Sequence, residues 1–127
     1  MATSDYSYLQ SAETQTSVVL QAKSFAGTTS VYSQPFEIGG VDLMGLAKTV
    51  AITTGVVDFN LDWQISHDGE TWVDGVALEI GINAAGNTYE QIEVFPSWAY
   101  YARIKVTGQG SNGTIVLTLA VTVTRGL

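Results

Sequence analysis

Apolar and polar residues alternate in short segments over most of the chain. In the clearest segment, Phe59 to Ser66, every odd position is apolar and every even position is polar, which is the pattern of a β-strand with one buried face. The last segment, Thr114 to Thr124, is apolar at five successive odd positions and also at some even ones, which favours a strand that is central in its sheet or covered on both faces. About eight such segments, separated by turn residues, predict an antiparallel β-sandwich over residues 16–127. The predicted core contains Leu61, Trp63, Ile65, Ile104, Leu117 and Leu119.

Strand pairing narrows the predicted topology. A two-residue turn at Asp68-Gly69 pairs Ile65 with Trp72 and places apolar residues on one face of the hairpin. A four-residue loop keeps the same face. Pairing Phe95 with Tyr100 across the next connection instead sets apolar residues against polar ones. We therefore expect the segments on either side of this connection to lie in opposite sheets, unless a bulge intervenes, and that arrangement is typical of a jelly roll.

The N-terminal segment differs from the rest of the chain. Residues 1–15 are polar and show neither a two-residue nor a helical period. Their large apolar side chains are those of Tyr6, Tyr8 and Leu9, and tyrosines are unusual in a plain linker. We therefore predict an N-terminal arm that binds a partner through these three side chains.

The composition indicates a surface with few charged side chains. The chain has 127 residues, which fits one domain, and only 13% of them are charged, about half the usual share. Threonine, serine, glutamine, asparagine and glycine replace the missing charges, so the surface loses little solvation free energy when it is covered. Two interpretations stay open: β-strands favour threonine in any case, or neighbours in an assembly cover much of the surface. The net charge of −7 argues against nucleic-acid binding.

The sequence offers little catalytic chemistry. Cysteine is absent and His67 is the single histidine, beside the predicted Asp68-Gly69 turn. The acidic residues between Asp58 and Asp74 lack the order of a calcium-binding loop. We therefore expect no catalytic residue, metal or cofactor, and a protein that is not an enzyme. A signal peptide and a membrane segment are not apparent, so we expect synthesis in the cytoplasm and no membrane partner.

Aromatic residues are the remaining candidates for function. Trp98 lies close to Pro96 and is followed by Tyr100 and Tyr101. Exposed tryptophan and tyrosine rings can anchor a protein interface or stack on sugar rings. A tryptophan that closes one end of the sandwich is the third interpretation. Trp98 and Tyr101 are the predicted anchors for a partner.

Two motifs and the last strand resemble known proteins. The motif Ser66-x-Asp68-Gly69-x-x-Trp72, the run Tyr101-Ala102-Arg103-Ile104 and the threonine-rich final segment are similar to those of small β-sandwich structural proteins of tailed-phage virions. These are the capsid decoration or cement proteins and the fibre-head modules, and the similarity covers about residues 16 to 124. Discoidin-type carbohydrate-binding domains share the hairpin motif, although this chain is shorter and lacks their cysteines.

The first resemblance implies a structural protein that binds a capsid or tail lattice as a homo-oligomer and is located in the virion. Its partners are then capsid or other virion proteins. The second resemblance implies a carbohydrate-binding module with a glycan ligand. Both resemblances imply an all-β fold.

Overall fold

A computed structural model describes residues 13–55, 57–92, 98–109 and 111–125 of the chain. Every regular element in these residues is a β-strand, and none is a helix that could cross a membrane. The nine strands are β1 (Glu13–Gly27), β2 (Ser30–Tyr32), β3 (Phe36–Glu37), β4 (Leu43–Thr54), β5 (Phe59–Ser66), β6 (Val73–Ile82), β7 (Gly86–Ile92), β8 (Tyr101–Gly108) and β9 (Ser111–Arg125).

The strands form two antiparallel sheets. The first sheet has the order β1-β9-β4-β7, and the second has the order β2-β8-β5-β6, with β3 also paired to β8. Strands β2 and β3 follow one another along the same edge of β8 and are separated at Pro35, which cannot donate a ladder hydrogen bond. Every connection between strands crosses from one sheet to the other, except β2–β3 and β5–β6. This is a jelly-roll sandwich, which confirms the predicted fold class, including the placement of β7 and β8 in opposite sheets.

The core lies between the inner faces of the two sheets. All six side chains of the predicted core are buried, and Leu61, Ile104, Leu117 and Leu119 have no exposed surface. Strand β9 lies between β1 and β4, so the prediction that the last strand is central is confirmed. The edge of one ring faces the plane of the other where Phe36 meets Trp63, with the ring centroids 5.9 Å apart.

The register of the β5–β6 hairpin was predicted wrongly. Ile65 pairs with Val73, not with Trp72, and Leu61 pairs with Glu79. The pairing moves by one residue because a longer connection replaces the two-residue turn, and irregularities interrupt the ladder further along. As a result, Trp72 lies on the outer side of the second sheet, where the guanidinium group of Arg103 covers its ring.

Strand β1 also differs from the prediction. It begins at Glu13, because residues 13–15 pair with the end of β9, whereas the predicted arm extends to residue 15. A bulge between Val18 and Leu20 buries both Val19 and Leu20 and leaves Val18 exposed, so inward and outward side chains do not alternate strictly along this strand. The predicted arm residues Tyr6, Tyr8 and Leu9 lie outside the described residues.

Candidate interaction surfaces

Two large aromatic side chains are exposed at one end of the sandwich, just before β8. Trp98 is 46% exposed and Tyr100 is 52% exposed, and Ala99 between them is buried. We call Trp98 and Tyr100 the aromatic end. The β3–β4 connection and the last residue of β5 lie at the same end, since both contribute backbone groups that bind Tyr100.

Backbone hydrogen bonds fix the aromatic end. The N–H of Tyr100 donates to the carbonyl of Ser66 at 3.0 Å, and the carbonyl of Tyr100 accepts from the N–H groups of Ile38 at 2.7 Å and Gly39 at 3.3 Å. A Cβ atom at Gly39 would lie 2.8 Å from the ring of Tyr100, so the ring packs on this glycine at a distance that a side chain would prevent. The exposed ring of Tyr100 therefore starts from a backbone whose N–H and carbonyl groups are both hydrogen-bonded.

The β3–β4 connection is itself held in place by the end of β9. The side chain of Arg125 donates from Nε to the carbonyl of Gly39 at 3.1 Å and from Nη2 to the carbonyl of Glu37 at 3.0 Å. These bonds tie the loop under Tyr100 to the first sheet. Both sheets thus support the aromatic end.

The β5–β6 connection is ordered by two side chains. The hydroxyl oxygen of the fully buried Ser66 accepts from the backbone N–H groups of Asp68 at 3.2 Å and Gly69 at 2.9 Å. The same hydroxyl donates to Oδ1 of Asp68 at 2.9 Å, and this carboxylate oxygen accepts from the N–H groups of Glu70 and Thr71, both at 2.9 Å. The donors from Thr71, Glu70 and Ser66 lower the pKa of Asp68 from 3.8 to about 2. Gly69 has a φ of 79°, which glycine adopts without strain.

Tyr101 occupies a different environment from that of Trp98 and Tyr100. It is half-buried, and it pairs with Ser66 on β5 and with Glu37 on β3. A Cβ atom at Gly69 would lie 3.7 Å from its ring, so the ring packs over the β5–β6 connection. Of the two predicted anchors, Trp98 is the more exposed, and its exposed companion is Tyr100.

The outer face of the second sheet carries a cluster built around Arg103. The carbon of its guanidinium group lies 4.2 Å from the centroid of the Tyr32 ring and 4.4 Å from that of Trp72. Its Nε donates to Oε1 of Gln64 at 2.7 Å, and Nε2 of Gln64 donates to Oδ1 of Asp74 at 2.9 Å. We call these five residues the arginine cluster. The sequence alone does not reveal this cluster, because its members come from four separate parts of the chain.

The outer face of the first sheet has a different character. Its described outward positions hold only uncharged residues, and we call them the neutral face: Thr14, Thr16, Val18, Ser24, Leu43, Gly45, Ala47, Thr49, Ala51, Asn87, Tyr89, Val116, Thr118, Ala120, Thr122 and Thr124. Hydroxyl groups pair across it, with Thr16 and Thr122 2.9 Å apart and Thr14 and Thr124 3.2 Å apart. The outer face of the second sheet, in contrast, carries Asp62 opposite Lys105 and the charged members of the arginine cluster.

Tyr89 is the most exposed large hydrophobic residue in the described part of the chain, at 82%. It lies on the edge strand β7, on the neutral face. The sequence does not single it out, because its outward position follows from the register in which β7 pairs with β4. The described residues include no group of three or more histidine, aspartate or glutamate side chains placed to hold a metal.

Comparison with known proteins gives similar folds but no family. No protein-family model and no curated protein sequence matches the chain. The structure of infectious bursal disease virus, Gx strain, matches with a TM-score of 0.67 and 10% identity, over 90% of this chain and 32% of that one. The VP2 subviral particle of infectious bursal disease virus matches with a TM-score of 0.65 and 11% identity, over 90% of this chain and 32% of that one.

A carbohydrate-binding protein matches less well. The N-terminal CBM22-1-GH10 modules of xylanase 10B from Clostridium thermocellum, complexed with xylohexaose, match with a TM-score of 0.50 and 16% identity, over 90% of this chain and 25% of that one. The chain thus spans a third or less of the length of each of these structures. At these identities the likeness concerns the fold alone: a β-sandwich of the kind found in viral capsid proteins and in carbohydrate-binding modules.

Proposed function

We propose that this chain is a structural virion protein that binds a capsid or tail lattice through protein–protein contacts, in a decoration, cement or related role. The observation that carries the proposal is the aromatic end: Trp98 and Tyr100 are about half exposed, and hydrogen bonds to the end of β5 and to the β3–β4 connection fix the backbone of Tyr100. Tryptophan and tyrosine are the residue types most enriched among the anchors of protein interfaces.

Pre-organisation makes the aromatic end effective as an anchor. The backbone of Tyr100 makes three hydrogen bonds before any partner arrives, so binding orders few additional groups. Burying the exposed 46% of Trp98 removes roughly 110 Å² from water, if a tryptophan presents about 250 Å². At about 25 cal/mol per Å² this contributes about 2–3 kcal/mol to binding.

Two further observations support this function. The fold is similar to that of infectious bursal disease virus VP2, a component of a subviral particle. The neutral face provides a wide surface without charges, whose covering removes no ion from water. Virion location, assembly into a homo-oligomer and tailed-phage origin belong to the same proposal, and the sequence resemblance supports them.

A carbohydrate-binding module is the second candidate. The same exposed rings favour it, because Trp98 and Tyr100 present flat apolar surfaces on which a sugar ring can stack. The fold likeness to the xylanase modules is consistent with this candidate. The two functions place the same residues in contact with different ligands, so one set of variants distinguishes them.

The experiment compares Trp98→Ala and Tyr100→Ala with the control Val73→Ala, which truncates another side chain that is about half exposed (48%). Each purified full-length chain is sedimented with virions of its source that have been stripped of this protein, and is also tested on a glycan array. We expect both aromatic variants to bind the particles at least about thirty-fold more weakly, the equivalent of about 2 kcal/mol, and Val73→Ala to bind as the wild type does.

The other outcomes contradict the proposal. Retention of the wild type on the array, lost in Trp98→Ala while particle binding is unchanged, would establish the carbohydrate-binding function in its place. A wild-type chain that binds neither the stripped particles nor a glycan would overturn both candidates. Circular dichroism of each variant confirms that the fold is retained.

A further inference from the structure

The neutral face forms continuous rows across all four strands of the first sheet. In one row, Val18 on β1 pairs with Ala120 on β9, Ala120 pairs with Ala47 on β4, and Ala47 pairs with Tyr89 on β7. Small side chains fill the middle of the row, and the largest side chain stands at its edge. The face is therefore flat at its centre, which suits close contact with another flat surface.

The size of this face reaches the lower limit for a specific protein interface. Four strands at about 4.8 Å spacing, paired over a length of about eight residues at about 3.4 Å per residue, cover a footprint of roughly 500 Å². Two copies in contact then bury about 1,000 Å², which is the lower limit for a specific protein interface. The face is large enough without a contribution from the rest of the molecule.

The net charge of the chain favours a second copy of the same chain as the partner that binds the neutral face. Each chain carries a net charge of −7, so two copies repel wherever their acidic surfaces approach. The neutral face is a surface where two copies can meet without removing any of their charges from water. It also offers no charge complementarity to a basic or an acidic partner, and a second copy meets it with the same threonine, alanine and valine side chains.

We propose that two copies of this chain associate through their neutral faces, sheet against sheet, as a symmetric dimer. In such a dimer each residue of the face contacts the same patch of the other copy. This inference rests on the proposed structural role and names one of its partners, but it uses a surface distinct from the aromatic end. Tyr89 is covered by the second copy, which explains why so large a ring stands 82% exposed in the single chain.

The test inserts a charge at the centre of the face. Thr49 is exposed on the central strand β4 and pairs with Thr118 on β9 and Asn87 on β7. In a symmetric dimer, Thr49→Lys buries two ammonium groups, one from each copy. The matched control is Thr107→Lys, because it makes the same change at an outward position of β8 on the opposite sheet.

Sedimentation velocity of the full-length chains over a range of concentrations gives the dimer dissociation constant. We expect a wild-type dimer, at least about ten-fold weaker association for Thr49→Lys, and unchanged association for Thr107→Lys. Tyr89→Ser should also weaken the dimer, and it serves as the second variant if Thr49→Lys does not fold, since a side chain so exposed contributes little to folding of the single chain.

A monomeric wild type, or Thr49→Lys and Tyr89→Ser variants that dimerise as the wild type does, would overturn the inference. The particle-sedimentation assay separates this failure from failure of the proposed function. If the dimer is absent but Trp98→Ala still abolishes particle binding, only the inference about the neutral face is lost. If the dimer forms and the particles are not bound, the lattice role fails instead.

Discussion

Replacement of Arg103 by lysine should destabilise the protein although it keeps the positive charge. The guanidinium group stacks on the rings of Tyr32 and Trp72, at 4.2 and 4.4 Å from their centroids. Its Nε also provides the hydrogen bond to Oε1 of Gln64, at 2.7 Å. Lysine has a compact ammonium group in place of this planar one, so it cannot stack on both rings and reach Gln64 at the same time.

These contacts determine how much the free energy of unfolding should fall in Arg103→Lys. A cation–π contact at a partly exposed site contributes about 0.5–1 kcal/mol, and one of the two is expected to be lost. Gln64 is only 7% exposed, so its carbonyl oxygen cannot easily find water when Arg103 is removed, and a buried acceptor without a partner costs about 1–3 kcal/mol. The free energy of unfolding should therefore fall by about 1.5–4 kcal/mol.

Urea denaturation, followed by tryptophan fluorescence, measures this loss. The matched control is Lys105→Arg, the reverse substitution two residues further along the outer face of β8, and it should change the free energy of unfolding by less than about 0.5 kcal/mol. A double-mutant cycle that combines Arg103→Lys with Trp72→Leu isolates the stacking contribution, and should return a coupling of at least about 0.5 kcal/mol.

A loss of less than about 0.5 kcal/mol for Arg103→Lys, within the range of an ordinary surface substitution, would refute this reasoning. Such a result would mean that the contacts of the arginine cluster contribute little to the stability of the fold. A zero coupling energy with a large total loss would be a narrower correction. It would assign the whole effect to the hydrogen bond with Gln64.

Three further predictions concern the core, the arm and the hairpin. Trp63→Ala should lower the free energy of unfolding by about 3–5 kcal/mol in urea denaturation, because Trp63 is 5% exposed; a loss below about 1 kcal/mol would contradict its place in the core. Deletion of residues 1–12 should leave the Tm nearly unchanged, since β1 begins at Glu13, and should weaken particle binding; a truncated chain that cannot fold would place the arm in the core. The pKa of Asp68 is lowered from 3.8 to about 2 on folding, so its carboxylate stabilises the protein above pH 3.8 and this contribution disappears as the pH falls towards 2. The Tm of Asp68→Asn should accordingly depend less on pH in this window than that of the wild type, and equal slopes would show that the hydrogen bonds do not stabilise the charge.

The alternation of apolar and polar residues predicted the fold because apolar side chains at every second position of a strand are the buried ones. The odd positions of the segment from Phe59 to Ile65 are buried at 6% exposure or less, as a two-residue period requires. The conflict at the Phe95–Tyr100 pairing also predicted correctly that consecutive strands lie in opposite sheets. Both inferences needed only the side chains of the strands themselves.

The register of the β5–β6 hairpin was predicted wrongly because the side chains of Ser66 and Asp68 determine the conformation of the connection. Asp68-Gly69 has the local preference for a two-residue turn. In the structure, Ser66 and Asp68 instead bind four backbone N–H groups between Asp68 and Thr71 and stabilise a longer connection. A hydrogen-bond network of this kind depends on the three-dimensional path of the loop, which no alternation pattern contains.

The interaction surfaces could be predicted only in part. Trp98 was recognisable as a candidate because it lies outside any alternating segment. The arginine cluster was not, since Tyr32 and Arg103 are 71 positions apart in the chain and meet because β2 pairs with β8. The neutral face likewise depends on the order β1-β9-β4-β7, and the sequence shows the outward residues of each strand without showing which strands are neighbours.

The distribution of charge between the two sheets supports the second interpretation of the threonine-rich composition, in which neighbours cover part of the surface. If threonine were abundant only because β-strands favour it, the outward positions of both sheets would be equally poor in charge. Outward positions of β5 and β8 carry Asp62, Arg103 and Lys105, whereas the described outward positions of β4 and β9 carry threonine, alanine, valine, leucine and glycine. Folding and solubility of a single chain make the same demands on both outer faces, so they do not explain the difference. The proposed covering of this face by a second copy would explain it, because a covered face gains from the absence of charges that would have to lose their water.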